Sequence, residues 1–186
     1  MRKMTITIID IAAAMWFIFP AYCANAAPVI FGGGKPMDFG KTFFDGKPFL
    51  GSHKTIRGFL AGIIVGTLVG LVQTLIFEQV LFQYSPQFQY SILLGFVLSL
   101  GALTGDLIES FIKRRLNRSP GSSIPVADQI DFILGALLFS ILVSPPSLPA
   151  ALIILLITIP IHLLTNIGAA LLKMKNKGKT GDAASL

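Results

Sequence analysis

Charge is scarce in this chain. Only 13% of its 186 residues are Asp, Glu, Lys or Arg, against about 25% in a typical soluble domain. So few charges cannot cover a water-facing surface, which excludes an ordinary soluble enzyme. Cysteine is all but missing, and the lone Cys23 excludes an intramolecular disulfide. The alternating in–out pattern of a membrane barrel is absent, which leaves helices as the way to satisfy a lipid-exposed backbone. Negative charge is the scarcest of all, with nine acids against fifteen bases, so any acid inside an apolar stretch needs a reason.

What is abundant is apolar surface: 53% of residues, with a mean hydropathy of +0.75. It comes in runs of about 17 to 25 residues, the length that crosses a bilayer as a helix. Five segments, 5–27, 57–80, 88–112, 129–144 and 148–172, read as spans of an all-α integral membrane protein forming one transmembrane domain. The fourth is short and opens at Asp128–Gln129, which puts its first turn in the headgroup region or inside the protein. Gly58, Gly62, Gly66 and Gly70 recur every four residues in the second span. They share one face, and a small-residue stripe lets membrane helices approach closely; packing rather than chemistry is the reading.

Thirteen of the fifteen Lys and Arg lie in 28–57, 113–128 and the tail 173–186, whereas the connections near 81–87 and 145–147 have none. The positive-inside rule puts the N-terminus outside and both long loops and the C-terminus in the cytoplasm. Arg2, Lys3 and Ala24-Asn25-Ala26 also resemble a cleavable signal peptide. Cleavage would leave the five positive charges of 28–57 facing outward, so a retained N-terminus is expected. The net charge of +6 then reports orientation and not nucleic-acid binding.

Residues 105–115 read GDLIESFIKRR and end an otherwise uncharged run. Asp106, Glu109 and Lys113, spaced i, i+3, i+7, share a helix face, with Asp106 about 12 Å before Arg114 along the axis. Asp128 and Asp131 open the next span with the same three-residue spacing. Antiparallel neighbours would gather four carboxylates at one depth. Carboxylates inside a membrane are costly and normally have a partner or a task. An ion-pair network with Lys113, Arg114 and Arg118 accounts for the first pair of acids. A hard cation accounts for both pairs, and Mg²⁺, which takes one or two carboxylates plus water and phosphate oxygens, is the expected cofactor. The expected metal set is Asp106, Glu109, Asp128 and Asp131. Arg115, about 100° around the helix from Arg114, is expected to meet lipid headgroups.

The first basic loop contains Gly40-Lys41-Thr42, but Lys35 stands where a phosphate-binding P-loop requires glycine, and no strand precedes it. What remains is Asp45-Gly46-Lys47 followed by Gly51-Ser52-His53-Lys54-Thr55-Ile56-Arg57-Gly58. Donors and cations at a helix N-terminus suit an anion; a basic loop resting on anionic headgroups is the plainer alternative.

Taken together, DGKPFLGSHKTIRG, GDLIESFIKRR and PVADQIDF resemble the CDP-archaeol synthase family of archaeal CTP-dependent cytidylyltransferases. The motifs also resemble, more distantly, CDP-diacylglycerol synthases, in Ser52 to Thr55, Gly105-Asp106, Ser110, Lys113-Arg114, Asp128 and Asp131. Two departures from that wider pattern, Arg118-Ser119 and Val126-Ala127, favour the ether-lipid branch. The resemblance implies transfer of CMP from CTP to unsaturated archaetidic acid, with Mg²⁺ required and diphosphate released. It implies catalytic roles for Asp106, Asp128, Asp131 and Lys113. Substrate contacts fall to Asp45, Lys47, Ser52, His53, Lys54, Thr55, Arg57, Ser110, Lys113, Arg114 and Arg118. The implied partners are CTP, a membrane-embedded isoprenoid ether lipid phosphate and the bilayer itself, at the cytoplasmic side of the cell membrane, with a homo-oligomer left open. Phosphatidic acid is the alternative substrate, and a cation or proton transporter is the alternative of another class.

Other polar residues read as structural. His162, Thr165 and Asn166 bond between helices, Pro160 kinks the fifth span, and Asp10 and Glu78 sit near outer helix ends without a role.

Overall fold

The computed structural model describes residues 6–76, 90–119, 127–161 and 164. The expectations for Glu78, the 81–87 connection, His162, Thr165, Asn166 and the tail fall outside these. The described residues form helices α1 (Ile8–Phe31), α2 (Ile56–Ile76), α3 (Ile92–Arg115), α4 (Ala127–Ser140) and α5 (Leu148–Ile161). Among them, β structure is limited to two isolated bridges in the loop after α1.

Helix ends follow local chemistry. Thr7 caps α1 in a reciprocal box with Asp10: the Thr7 amide donates to Asp10 Oδ2 (2.8 Å) and the Asp10 amide to Thr7 Oγ1 (3.3 Å). Asp10 therefore has a structural role that the sequence reading did not assign. Thr55 Oγ1 accepts from Gly58 N–H at the start of α2, and Ser91 Oγ from Leu94 N–H at the start of α3. The third helix runs three residues beyond the expected end at 112, so Lys113, Arg114 and Arg115 form its last turn, where cations meet the negative end of the helix dipole. Asn117 then takes a left-handed turn, φ 58°, which asparagine tolerates better than most residues. The fourth helix stops at Ser140, short of the expected 144; Pro145 and Pro146 follow, and a residue before proline avoids helical geometry.

Helices α1, α2 and α3 are long and apolar enough to cross a membrane. At 1.5 Å per residue the 24 residues of α3 span about 36 Å, more than the roughly 30 Å hydrocarbon core. Phe17 and Ile18 of α1, Leu98 of α3, Phe132 and Ile133 of α4 and Ile154 of α5 interlock in one core. The Tyr22 hydroxyl and Thr158 Oγ1, 2.7 Å apart, tie α1 to α5, and the Tyr22 ring stands edge-on to Phe132. Leu60, Ile64, Leu68, Val72 and Leu75 of α2 lie exposed, as on a surface meant for lipid.

The four stripe glycines are all buried, wedged antiparallel between α1 and α3. A Cβ on Gly62 would lie 2.7 Å from Ala24 O, one on Gly66 would lie 2.8 Å from Pro20 O and strike Ser99 Oγ, and one on Gly70 would lie 2.5 Å from Gly95 Cα. A second set joins α3 to α4, with Gly101 facing Gly135 and Gly105 facing the Asp131 backbone. Gly66→Val is expected to lower the detergent-solubilised Tm by several degrees, for about 1–3 kcal/mol of overpacking. Leu68→Val, at a residue 54% exposed, should leave it unchanged. Equal melting temperatures for both variants would show that the stripe does not set the packing.

Candidate active site

The loop between α1 and α2 is a folded unit held by its own backbone. Met37 N–H donates to Lys54 O (2.8 Å), Ile56 N–H to Lys35 O (3.1 Å), Phe43 N–H to Lys47 O (2.8 Å) and Phe49 N–H to Lys41 O (3.0 Å). At its centre sits Asp38, 8% exposed. Its carboxylate accepts from the amides of Gly40 (3.0 Å), Leu50 (2.9 Å) and Gly51 (2.8 Å). Burial pushes this carboxyl up, but the three amides outweigh burial and hold it below the usual aspartate range.

Arg115 staples this unit to α3. Its guanidinium meets Asp45 Oδ1 at 3.0 Å, donates to Pro48 O at 2.5 Å, and lies over the rings of Phe43 and Phe111 at 4.9 and 4.8 Å. Lys47 Nζ returns a bond to Arg115 O at 2.9 Å. Phe43 packs edge to face with Phe49 and Phe111, and the latter two rings lie tilted to each other. The arginine expected among lipid headgroups is thus enclosed by protein, because the loop folds back over the face of α3 that carries it.

Docked in this way, the loop lays Lys54 Nζ on Asp106 Oδ2 at 2.6 Å. Behind that pair, Lys113 Nζ bridges Glu109 Oε1 (2.6 Å) on its own helix and Asp128 Oδ1 (2.8 Å) on α4. The two pairs border a cavity of about 220 Å³, completed by Ser110, Arg114 and Asp131. Atoms of two groups there lack hydrogen-bond partners among the described residues. One is Arg114, only 5% exposed, whose Nε and Nη1 are unbonded; the other is the buried Asp131 Oδ1. Leaving such groups unpaired costs about 1–3 kcal/mol each, more when charged, unless something else binds them. A buried, unpaired guanidinium beside carboxylates is an arrangement that phosphate and a cation would complete together.

The chain matches the CDP-archaeol synthase (CarS-like) family over residues 5–178. It is 46% identical over 168 residues to the CDP-archaeol synthase of Methanocaldococcus jannaschii, covering 88% of this chain and 94% of that one. The Pyrococcus furiosus CDP-archaeol synthase is also 46% identical, over 166 residues, covering 89% and 96%. The chain belongs to the CDP-archaeol synthase family. A solved intramembrane enzyme of archaeal membrane lipid biosynthesis has the same fold, with a TM-score of 0.74 at 37% identity, covering 84% of this chain and 94% of the other.

The motif residues of this CDP-archaeol synthase family member part into two groups. Asp106, Glu109, Ser110, Lys113, Arg114, Asp128 and Asp131 line the charged cavity with His53 and Lys54. Thr55 caps α2 and lines a neighbouring cavity. Asp45 and Lys47, expected on substrate, are instead tied to Arg115 at the loop's far edge. Ser52, Arg57 and Arg118 are exposed and line neither cavity. Asp38 went unnoticed in the sequence, although its place two residues before Gly40 is an Asx-turn signature. No spacing rule would have found Arg115.

Carboxylates are suitable ligands for a hard divalent cation. Lys54 and Lys113 now occupy three of the four, and among the described residues no three ligating side chains converge on one point. The donor set fits a cation that arrives with its substrate and completes its shell from phosphate, not one held in a ready-made cage.

Two outcomes follow from the loop. The folded-state pKa of Asp38 lies below its unfolded value of roughly 3.9. Its support for the loop is therefore complete above that value and disappears as pH falls through the folded one. Amide exchange across 38–51, corrected for intrinsic rate, should stay slow from neutral pH to about 4 and accelerate below it, whereas Asp38→Asn should show no such step. An identical pH profile in the variant would remove Asp38 from this role. Arg115→Ala should raise exchange of 42–49 roughly tenfold or more, since a charge-assisted bond is worth about 1.5–3 kcal/mol; unchanged protection would show that the aromatic cluster suffices.

Proposed function

We propose that this chain transfers CMP from CTP to the phosphate of unsaturated archaetidic acid, giving CDP-archaeol and diphosphate, at the cytoplasmic face of the cell membrane. In this reading the chain is one transmembrane domain of five spans with its N-terminus outside. The observation that carries the reading is Arg114, buried and unpaired beside four carboxylates in a cavity at the loop end of α3. CTP arrives from water, while the lipid's isoprenoid chains stay in the bilayer, so the reaction belongs at this interface. An apolar groove of about 570 Å³ between α3 and α4 reaches Glu109, Lys113 and Asp131, which supports a substrate with one end in hydrocarbon.

A phosphate oxygen of the lipid attacks the α-phosphorus of CTP. The bond from the α-phosphorus to the bridging oxygen breaks, and diphosphate leaves with that electron pair. The lipid phosphate is ionised at neutral pH, so no side chain needs to remove a proton. Arg114 offers the N–H groups of its two free nitrogens, Nε and Nη1, to triphosphate oxygens. Lys54 and Lys113, paired with acids, exchange part of that pairing for phosphate. Positioning and electrostatic stabilisation then carry the catalysis. A divalent cation, magnesium by its preference for hard oxygens, would be held by Asp106, Asp128 and Asp131 with Glu109 behind them, and would supply charge neutralisation between the phosphates. Ser110 and His53 complete the cavity wall.

Asp131→Asn and Asp128→Asn are expected to cut incorporation of radiolabelled CTP into lipid by about 100-fold or more, the scale of losing one transition-state stabiliser, with Tm nearly unchanged. In wild type, CTP with Mg²⁺ should raise Tm and ATP should not. Near-normal turnover of both variants at saturating Mg²⁺ would show that the acids serve only as ion-pair partners.

A further inference from the structure

Three phenylalanines of the α1–α2 loop, Phe39, Phe44 and Phe49, lie exposed although no span contains them, and Phe44 is 99% exposed. Single apolar residues scattered over a surface are ordinary, but a contiguous patch marks a binding surface. With Met37, Thr42 and Phe43 these rings wall a groove of about 580 Å³, and Lys41 stands on it. None of these seven residues lines the charged cavity, so the catalytic chemistry does not account for them.

Phe39 carries a backbone cost as well. Its φ of 51° lies in the left-handed region, where a bulky side chain is strained and glycine or asparagine is usual. The ring is exposed, so packing within the protein does not explain a phenylalanine there. Strain of this kind persists at sites of recognition or function.

The depth of this patch is set by α3. Phe111 lies one turn before the helix end at Arg115, about 6 Å along the axis. Ile108 and Ile112 beside it are exposed, so the helix is still apolar on its outer side at that level. The ring centroids of Phe43 and Phe49 lie 5.3 and 5.1 Å from that of Phe111, and Phe44 stands edge-on to Phe43 at 5.0 Å. The aromatic face of the loop is therefore fixed beside the last apolar turn of a membrane-length helix, where hydrocarbon gives way to headgroups.

We propose that this face of the loop inserts into the membrane interface on the side where α3 ends. Phe39 and Phe44 enter the edge of the hydrocarbon, and the groove between them takes the bilayer's own lipid. Lys41, which is exposed, keeps its ammonium among headgroup phosphates while its stem crosses the apolar layer. Apolar rings with lysine alongside are the composition of segments that lie in this interface. The patch continues the lipid-facing surface of α3, so the bilayer covers it without a second protein. Arg115 clamps the loop to α3, so the insertion also fixes the depth at which the loop presents Lys54.

The chain has one tryptophan, Trp16, so Phe44→Trp in a Trp16→Phe background gives an indole signal from this position alone. The full chain is placed in bicelles of phosphatidylcholine and phosphatidylglycerol, with or without bromine on the acyl chains. Bromine should cut the emission several-fold, whereas aqueous acrylamide should change it little. Strong quenching by acrylamide with none by bromine would put the residue in water, as for a loop held to headgroups by charge alone, and would overturn the proposal. Quenching by neither would overturn it too, since protein, such as a second copy, would then cover the groove. Should Trp16→Phe fail to fold, the difference in emission between Phe44→Trp and wild type in the same bicelles provides the same readout.

Discussion

The close approach of α3 and α4 governs the site. A Cβ on Gly101 would strike Gly135 O, one on Gly105 would strike Asp131 O, and one on Gly135 would strike Gly101 O. These three glycines leave no room for a Cβ between the two backbones. Because the helices are antiparallel, this contact sets Asp128 and Asp131 at the level of Glu109 and Lys113. One more carbon at Gly105 would push Asp131 from the cavity and stretch the Lys113–Asp128 contact of 2.8 Å. On its other side α3 meets α2 through Gly95 and Gly70, so the helix bearing the acids is held by backbone contact on two faces.

Charge balance explains why such a site can exist where water is scarce. Each lysine at the cavity rests on acid, and the lysine–carboxylate pairs lower the cost of placing ions near hydrocarbon. Among the described residues, Arg114 has no acid at hydrogen-bonding distance. An incoming triphosphate would therefore meet a site whose acids are already partly neutralised and whose guanidinium is open. Lys54 and Lys113 stand against the carboxylates that the proposed cation would use, so such a cation would have to displace part of that pairing.

The loop contributes as a rigid body. Asp38 closes it from within, Arg115 fastens its edge to α3, and the result at the centre is Lys54 on Asp106. Asp45 and Lys47, inside the first motif, meet Arg115 and line neither cavity. Their charges are satisfied 3.0 and 2.9 Å from Arg115.

Much of this was legible in the chain itself. Length and apolarity determined that helices of membrane length would form, because a lipid-facing backbone has no other partner. A four-residue glycine period determined that α2 would pack closely, and three-residue spacing determined that Asp106 and Glu109, like Asp128 and Asp131, would share faces. Those are local properties of a helix of 3.6 residues per turn. Tertiary structure alone decided which acid meets which base and that Arg115 turns into protein rather than lipid. Such pairings depend on how a loop folds and which helix faces touch, and the period of any one segment does not encode the position of another.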